Sequence, residues 1–299
     1  MPEITANGIT IHYDEHGPAD AEPMLLIMGL GAQMVLWPME LVEALAGHGF
    51  RVIRHDNRDI GLSHKFDGAK APGAVSHTLM RKIGLRPSVP YTLADMAQDS
   101  AGVLDGLGIE RAHVVGGSMG GMIAQHLAAR HPEKVRSLTS IFSTTGNPRL
   151  PPSRREAIKA LTQRPASLDE EVLVQHGRNV ARTIGSPGFP APDDRLDART
   201  RALVQRSVYL QGPARQMAAI IDDGERTRML RQIKAPTLVL HGEDDPLIPV
   251  AHGHATAAAI PGATIRTIPG WGHDIPLELV DELADAIAQH ARAAETGNS

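Results

Sequence analysis

The sequence predicts an α/β fold: a mostly parallel sheet with helices on both faces, interrupted late in the chain by a helical insertion. Short continuous apolar runs at 24–28, 112–116 and 236–242 read as strands covered on both faces, since a half-exposed strand would alternate. Helical periods separate these runs. From 143 to 234 the strand signal stops, and Pro148, Pro151, Pro152, Pro165, Pro187, Pro190 and Pro192 punctuate a helical, loop-rich stretch. The expected division is a sheet core from 1–142 and 235–299, with 143–234 as a helical cap.

With 299 residues, 42% of them hydrophobic, the chain can bury a substantial core as one domain with an insertion. Its longest apolar run, MLLIMGLGAQMVLW, is too short and glycine-interrupted to span a bilayer, and MPEITANG lacks the pattern of a signal peptide. A cytoplasmic protein without membrane insertion is expected. The absence of cysteine excludes disulfides, thiolate metal sites and a cysteine nucleophile. A net charge of −4 and no dense Lys/Arg run argue against nucleic acid and anionic membrane as partners. Fifteen histidines occur without any H-E-x-x-H or comparable cluster, so neither metal nor cofactor is expected.

In order, 3–6 and 9–13 flank Asn7-Gly8, a strong hairpin signal, so the chain opens antiparallel. The strand at 24–28 ends in Gly29-Leu30-Gly31, a helix follows from about Trp37 to Gly47, and a strand at 51–55 leads into DNRDIGLS. Gly29-Leu30-Gly31 with Asp56 faintly resembles a dinucleotide fingerprint, but Met34 stands where the third glycine belongs. Residues 64–90 lack a clear period and are long for a connection; a mobile flap with a short helix around 78–83 and a plain surface excursion both remain open. Thr92 and Asp95 form a capping pair for a helix to about Leu107. Beyond a strand at 135–142, Ser167-Leu168-Asp169-Glu170 reads as a capping box for a helix towards Ile184, and 195–209 is a second amphipathic candidate. Val208, Tyr209, Met217, Ile220 and Ile221 either line an apolar pocket or pack on the core. A last strand at 263–268 precedes PGWGHD and a helix from Leu277, with residues after Ala293 expected to fray.

The chemistry centres on 112–130, AHVVGGSMGGMIAQHLAAR: a strand, a tight turn, then a helix stopped by His131-Pro132. Gly116-x-Ser118-x-Gly120 in that context matches a nucleophile elbow, which lifts a serine hydroxyl clear of the sheet. Glycines are needed where strand and helix backbones approach closely. A serine hydroxyl is a weak nucleophile, so it requires a base in hydrogen-bond reach and a third group to fix that base's tautomer. The order Ser, acid, His, with acid and histidine in loops after successive late strands, selects Asp245 and His273. His241, His252 and His254 do not follow the final strand. Glu243 and Asp244 share the acid's loop, and Pro246 beside Asp245 favours the latter. The N–H groups of Leu30 and Met119 are the candidate oxyanion donors.

The motifs LLIMGLG, HDNRDIGLS, VVGGSMGGMIAQ, LVLHGEDDPLIP and IPGWGHDIP, in register over nearly the whole chain, resemble the α/β-hydrolase superfamily. Within it they are similar to cofactor-free serine esterases such as the aclacinomycin methylesterase group. The resemblance implies an eight-stranded sheet with a helical cap, and hydrolysis of small to medium carboxylic esters through an acyl-serine. It assigns the nucleophile to Ser118, the acid to Asp245, the base to His273 and the oxyanion donors to Leu30 and Met119. Acyl transfer to peroxide or an alcohol, a lipase and a ligand receptor retaining the triad are the rival activities, and a homo-oligomer stays open. Two positions depart from the family pattern. Met28-Gly29 stands where many relatives have His-Gly, removing a polar contact that orients the oxyanion loop. Asp59 replaces a glycine after the arginine and points to a polar network with Arg58.

Overall fold

The computed structural model describes residues 2–296. Among them, β1 (Glu3–Ala6), β2 (Ile9–His16), β3 (Glu22–Ile27), β4 (Phe50–His55), β5 (Ala112–Gly117), β6 (Val135–Ile141), β7 (Thr237–Gly242) and β8 (Thr264–Ile268) form one eight-stranded sheet. Its spatial order is β1-β2-β4-β3-β5-β6-β7-β8. The pairs β1–β2 and β2–β4 are antiparallel and the rest parallel. The opening hairpin turns on Asn7 and Gly8 at φ +50° and +77°, as a two-residue turn with both central residues left-handed requires.

A parallel sheet needs cover on both faces. One is covered by α3 (Leu93–Gly106) and α4 (Met119–Arg130), which bury Leu93, Met96, Ile123 and Leu127 against Leu25, Ile27 and Val114. The other is covered by α1 (Met39–Gly47) and α11 (Val280–Thr296), which bury Leu41, Leu45, Leu283 and Ile287 against Leu26, Val52 and Leu240. Each such side chain contributes on the order of 2 kcal/mol by leaving water. Strands parallel to one another deliver their C-terminal ends to one edge, where the loops after β3, β5, β7 and β8 meet.

Thr92 and Asp95 cap α3 reciprocally, as the sequence predicts. Helix α1 begins two residues later than expected, because Pro38 cannot continue a helix and sits at its N-cap. Residues 64–90 contain α2 (Ala74–Lys82), which buries His77 while Val75, Leu79 and Ile83 stay in solvent.

Between β6 and β7 come α5 (Arg155–Thr162), α6 (Glu170–Ile184), α7 (Asp193–Arg206), α8 (Gly212–Asp223) and α9 (Thr227–Leu230); α10 (Ala251–Ala259) separates β7 from β8. The expected capping box at Ser167 does not form. Asp169 is the N-cap of α6, and the Ser167 hydroxyl donates to Asp169 Oδ2 at 2.7 Å inside its own turn. The C-terminal helix also outlasts the expected fraying point: α11 continues to Thr296, with Ala294 buried and Glu295 paired to Arg136 at 2.9 Å. The last residues of the expected frayed tail, 297–299, lie outside the described residues.

Candidate active site

Ser118 occupies the sharp turn between β5 and α4 at φ +56° and ψ −120°, a conformation L-residues rarely adopt. The surroundings hold it there: Ser118 N–H donates to Ile141 O at 3.0 Å, and the Ser143 hydroxyl donates to Ser118 O at 2.8 Å. A Cβ on Gly116 would run into the Gly120 carbonyl, and one on Gly120 into the carbonyls of Ile27 and Met28. The glycines thus let strand, turn and helix close on one another.

His273, in the loop after β8, lies with Nε2 3.0 Å from Ser118 Oγ and Nδ1 2.7 Å from Asp245 Oδ2. Asp245, in the loop after β7, is 4% exposed, and its other oxygen accepts the N–H groups of Leu247 and Ile248, each at 2.8 Å. This fixes the carboxylate's orientation before it meets the imidazole. The Phe142 ring lies 4.6 Å from the His273 ring, centroid to centroid, and limits its swing.

The alternatives from the sequence fall elsewhere. Glu243 accepts from the Thr267 hydroxyl and Asp244 from Gly270 N–H, so neither faces His273. His241 lies beneath Asp245, its Nε2 donating to Ile248 O at 2.7 Å. Burial lowers its pKa to about 4, so it is neutral near pH 7. His252 is held by Thr144 Oγ1 and Pro151 O, and His254 is exposed.

Gly29 packs against Ser118, bringing the loop after β3 to the serine; a Cβ there would lie 3.1 Å from the Ser118 Cβ. Leu30 follows Gly29 in this loop. Met119 supplies the first amide of α4, where helix geometry leaves the N–H without an intrahelical acceptor. A turn closed by Ala32 N–H to Gly29 O at 3.3 Å carries Leu30 and Gly31 at its centre, with Gly31 at φ +66°. The contacts around this turn were not legible in the sequence: Asn57 Nδ2 donates to Met28 O at 2.8 Å, and Gln216 Oε1 accepts from Gly31 N–H at 2.8 Å. A lone glutamine in a helical stretch carries no spacing signal that would single it out.

The expected Asp59–Arg58 network is replaced by two separate pairs. Asp59, at φ +69°, turns towards α8, pairing with Arg215 at 2.8 and 2.9 Å and accepting from the Tyr91 hydroxyl at 2.6 Å. Arg58 points the other way, to Asp99 at 2.6 Å. Burial alone would raise the Asp59 pKa, but the bonds from Arg215 and Tyr91 outweigh it and hold the carboxyl below its usual range.

A cavity of about 620 Å³ lies between the insertion and the loops after β7 and β8, lined by Arg154, Ser186, Leu196, Pro246 and Asp274 among others, with neither Ser118 nor His273 in its lining. A smaller one of about 170 Å³ is lined by Gly31, Gln33, Ile60 and, from the expected pocket set, Val208 and Tyr209. Ile220 instead packs against the core. Among the described residues Glu22, His113 and Glu295 group potential metal-ligating atoms at the opposite end of the sheet, and there Arg136 already reaches Glu295 at 2.9 Å and Glu22 at 3.5 Å.

The model of the alpha/beta hydrolase fold family matches residues 22–278. The chain belongs to the α/β-hydrolase-fold family. Among its relatives in that family, the rhodomycin D methylesterase DauP of Streptomyces sp. (strain C5) is 33% identical over 97% of this chain and 98% of its own length. The corresponding methylesterase DnrP of Streptomyces peucetius is 31% identical over 97% and 98%. Among solved structures, the enol-lactonase of Burkholderia xenovorans LB400 superimposes with a TM-score of 0.72 at 26% identity, covering 97% of this chain and 100% of its own. The meta-cleavage product hydrolase of Pseudomonas fluorescens IP01 gives 0.75 at 19% identity over 98% of each chain, a likeness of fold. This α/β-hydrolase is an ester-hydrolysing enzyme. No helix among the described residues is long and apolar enough to cross a membrane.

Proposed function

We propose that the enzyme hydrolyses small to medium carboxylic esters, methyl esters among them, with Ser118 as nucleophile, His273 as base and Asp245 as its orienting acid. The observation that carries this reading is the unbroken chain of contacts Ser118 Oγ–His273 Nε2 at 3.0 Å and His273 Nδ1–Asp245 Oδ2 at 2.7 Å. His273 takes the hydroxyl proton as Oγ attacks the ester carbonyl, and the oxygen that becomes negative is received by the Leu30 and Met119 N–H groups. The imidazolium then protonates the departing alcohol, leaving an acyl-serine. Water, losing its proton to His273, attacks this acyl group, and Ser118 regains a proton as the acid leaves. Residues 143–234 act as the cap that bounds the ester from above, and the protein works in the cytoplasm.

Steady-state hydrolysis of an aryl acetate tests the assignment. Ser118→Ala is expected to fall to the uncatalysed rate with its melting temperature kept, and Asp245→Asn to lose roughly 10⁴-fold in kcat. Wild-type turnover in Ser118→Ala removes the mechanism; wild-type turnover in Asp245→Asn removes the acid.

A further inference from the structure

An oxyanion donor is useful only if its peptide plane is held before the charge develops. Leu30 N–H belongs to the Gly29–Leu30 peptide, whose carbonyl is tied by Ala32 N–H at 3.3 Å. The two flanking planes are each held by one buried side-chain amide. On one side Asn57 Nδ2 donates to the Met28 carbonyl at 2.8 Å; on the other Gln216 Oε1 accepts the Gly31 N–H at 2.8 Å. Gln216 is 0% exposed, and its Nε2 donates to Arg58 O at 2.9 Å. Its amide orientation is unambiguous, because Gly31 N–H can only donate and the Arg58 carbonyl only accept.

Asn57 comes from the sheet core, whereas Gln216 comes from α8, in the insertion between β6 and β7. From the same helix Pro213 backs Gly31, and Arg215 is bound to Asp59. The α8 helix therefore grips the loop after β3 at the peptide next to the donor.

We infer that Gln216 is a positioning residue: it sets the Leu30 N–H from the cap, so the oxyanion site is complete only while α8 is docked. In this chain it and Asn57 orient a loop that lacks the His-Gly polar contact. The inference rests on Ser118 as nucleophile and Leu30 as donor. It makes cap docking and oxyanion stabilisation one event, so a cap that lifts for substrate entry leaves the site inactive until it returns.

Gln216→Leu and Gln216→Glu separate positioning from packing. Glutamate keeps the acceptor for Gly31 N–H but buries a carboxylate; leucine keeps an apolar fill but offers no acceptor. Positioning predicts kcat in the order wild type, Glu, Leu, with Leu down about 10- to 100-fold at a KM within roughly threefold of wild type. Melting temperatures should follow the opposite order for the two variants, because a buried charge costs stability. A kcat that tracks melting temperature, or a raised KM at unchanged kcat, overturns the inference. If the glutamate variant does not fold, the kcat and KM of the leucine variant decide alone. Ser118→Ala in the same assay distinguishes the two levels: retained turnover there sinks the underlying mechanism, whereas an inactive Ser118→Ala beside a wild-type Gln216→Leu sinks only the role of Gln216.

Discussion

Asp245 lies beside a second imidazole, His241, which is 3.7 Å from its carboxylate and 0% exposed in its side chain. Burial lowers the His241 pKa to about 4, and burial does the same at His55, also to about 4. Each stays neutral in the folded protein where the unfolded chain, titrating near 6.5, already binds a proton. The contribution of each is therefore full above pH 6.5, falls as pH drops through the interval to about 4, and levels off below it, a loss of up to about 3 kcal/mol per group over that window. Urea unfolding at pH 7 and pH 4.5 measures the fall. His241→Gln, which can still donate to Ile248 O, should reduce the difference, and an unchanged difference would place the proton uptake on other groups. At this scale the sequence was informative where chemistry imposes order. Ser118, Asp245 and His273 could be chosen because a triad needs three residue types at the ends of particular strands, whereas nothing in the sequence marked Gln216 or Asn57.

The β5–turn–α4 element holds the serine in a strained turn because its backbones approach too closely for side chains. Gly120→Ala would drive a methyl into two carbonyl oxygens of the β3 end, and backbone there cannot yield as a flexible side chain would. A loss of at least about 3 kcal/mol is expected. Gly47→Ala is the control: it lies in α1 with nothing within 4 Å of the new methyl, so it should be neutral or stabilising by up to about 1 kcal/mol. Similar melting temperatures for the two variants would show that close approach does not constrain the elbow. Strands and long helices were legible because burial on both faces or on one stripe leaves a period in the sequence. Helix starts were less so: Thr92 and Ser167 head similar capping patterns, yet only Thr92 turns its hydroxyl to the helix. Which of two local bonds such a hydroxyl makes depends on the approach of the chain before it.

Across the whole molecule, side chains of the insertion meet the core through pairs far apart in sequence: Gln216 with Gly31, Arg215 with Asp59, Arg206 with Asp56, and Arg226 with Gln125. These contacts leave no local period, so the sequence indicated a helical insertion but not how it grips the loop beside the serine. The same reasoning explains the misjudged Asp59, whose neighbour in sequence, Arg58, faces Asp99 while its partner lies on α8. The sheet remains the part that brings Ser118, His273 and Asp245 into contact, since the loops after β3, β5, β7 and β8 all open on one edge. The most direct test of that convergence is peptide mass analysis after reaction with an aryl phosphonate ester. One adduct per chain is expected, on the peptide containing Ser118, forming far more slowly when His273 is replaced by alanine. An adduct on another residue, or labelling of Ser118 at an undiminished rate without His273, would contradict the account.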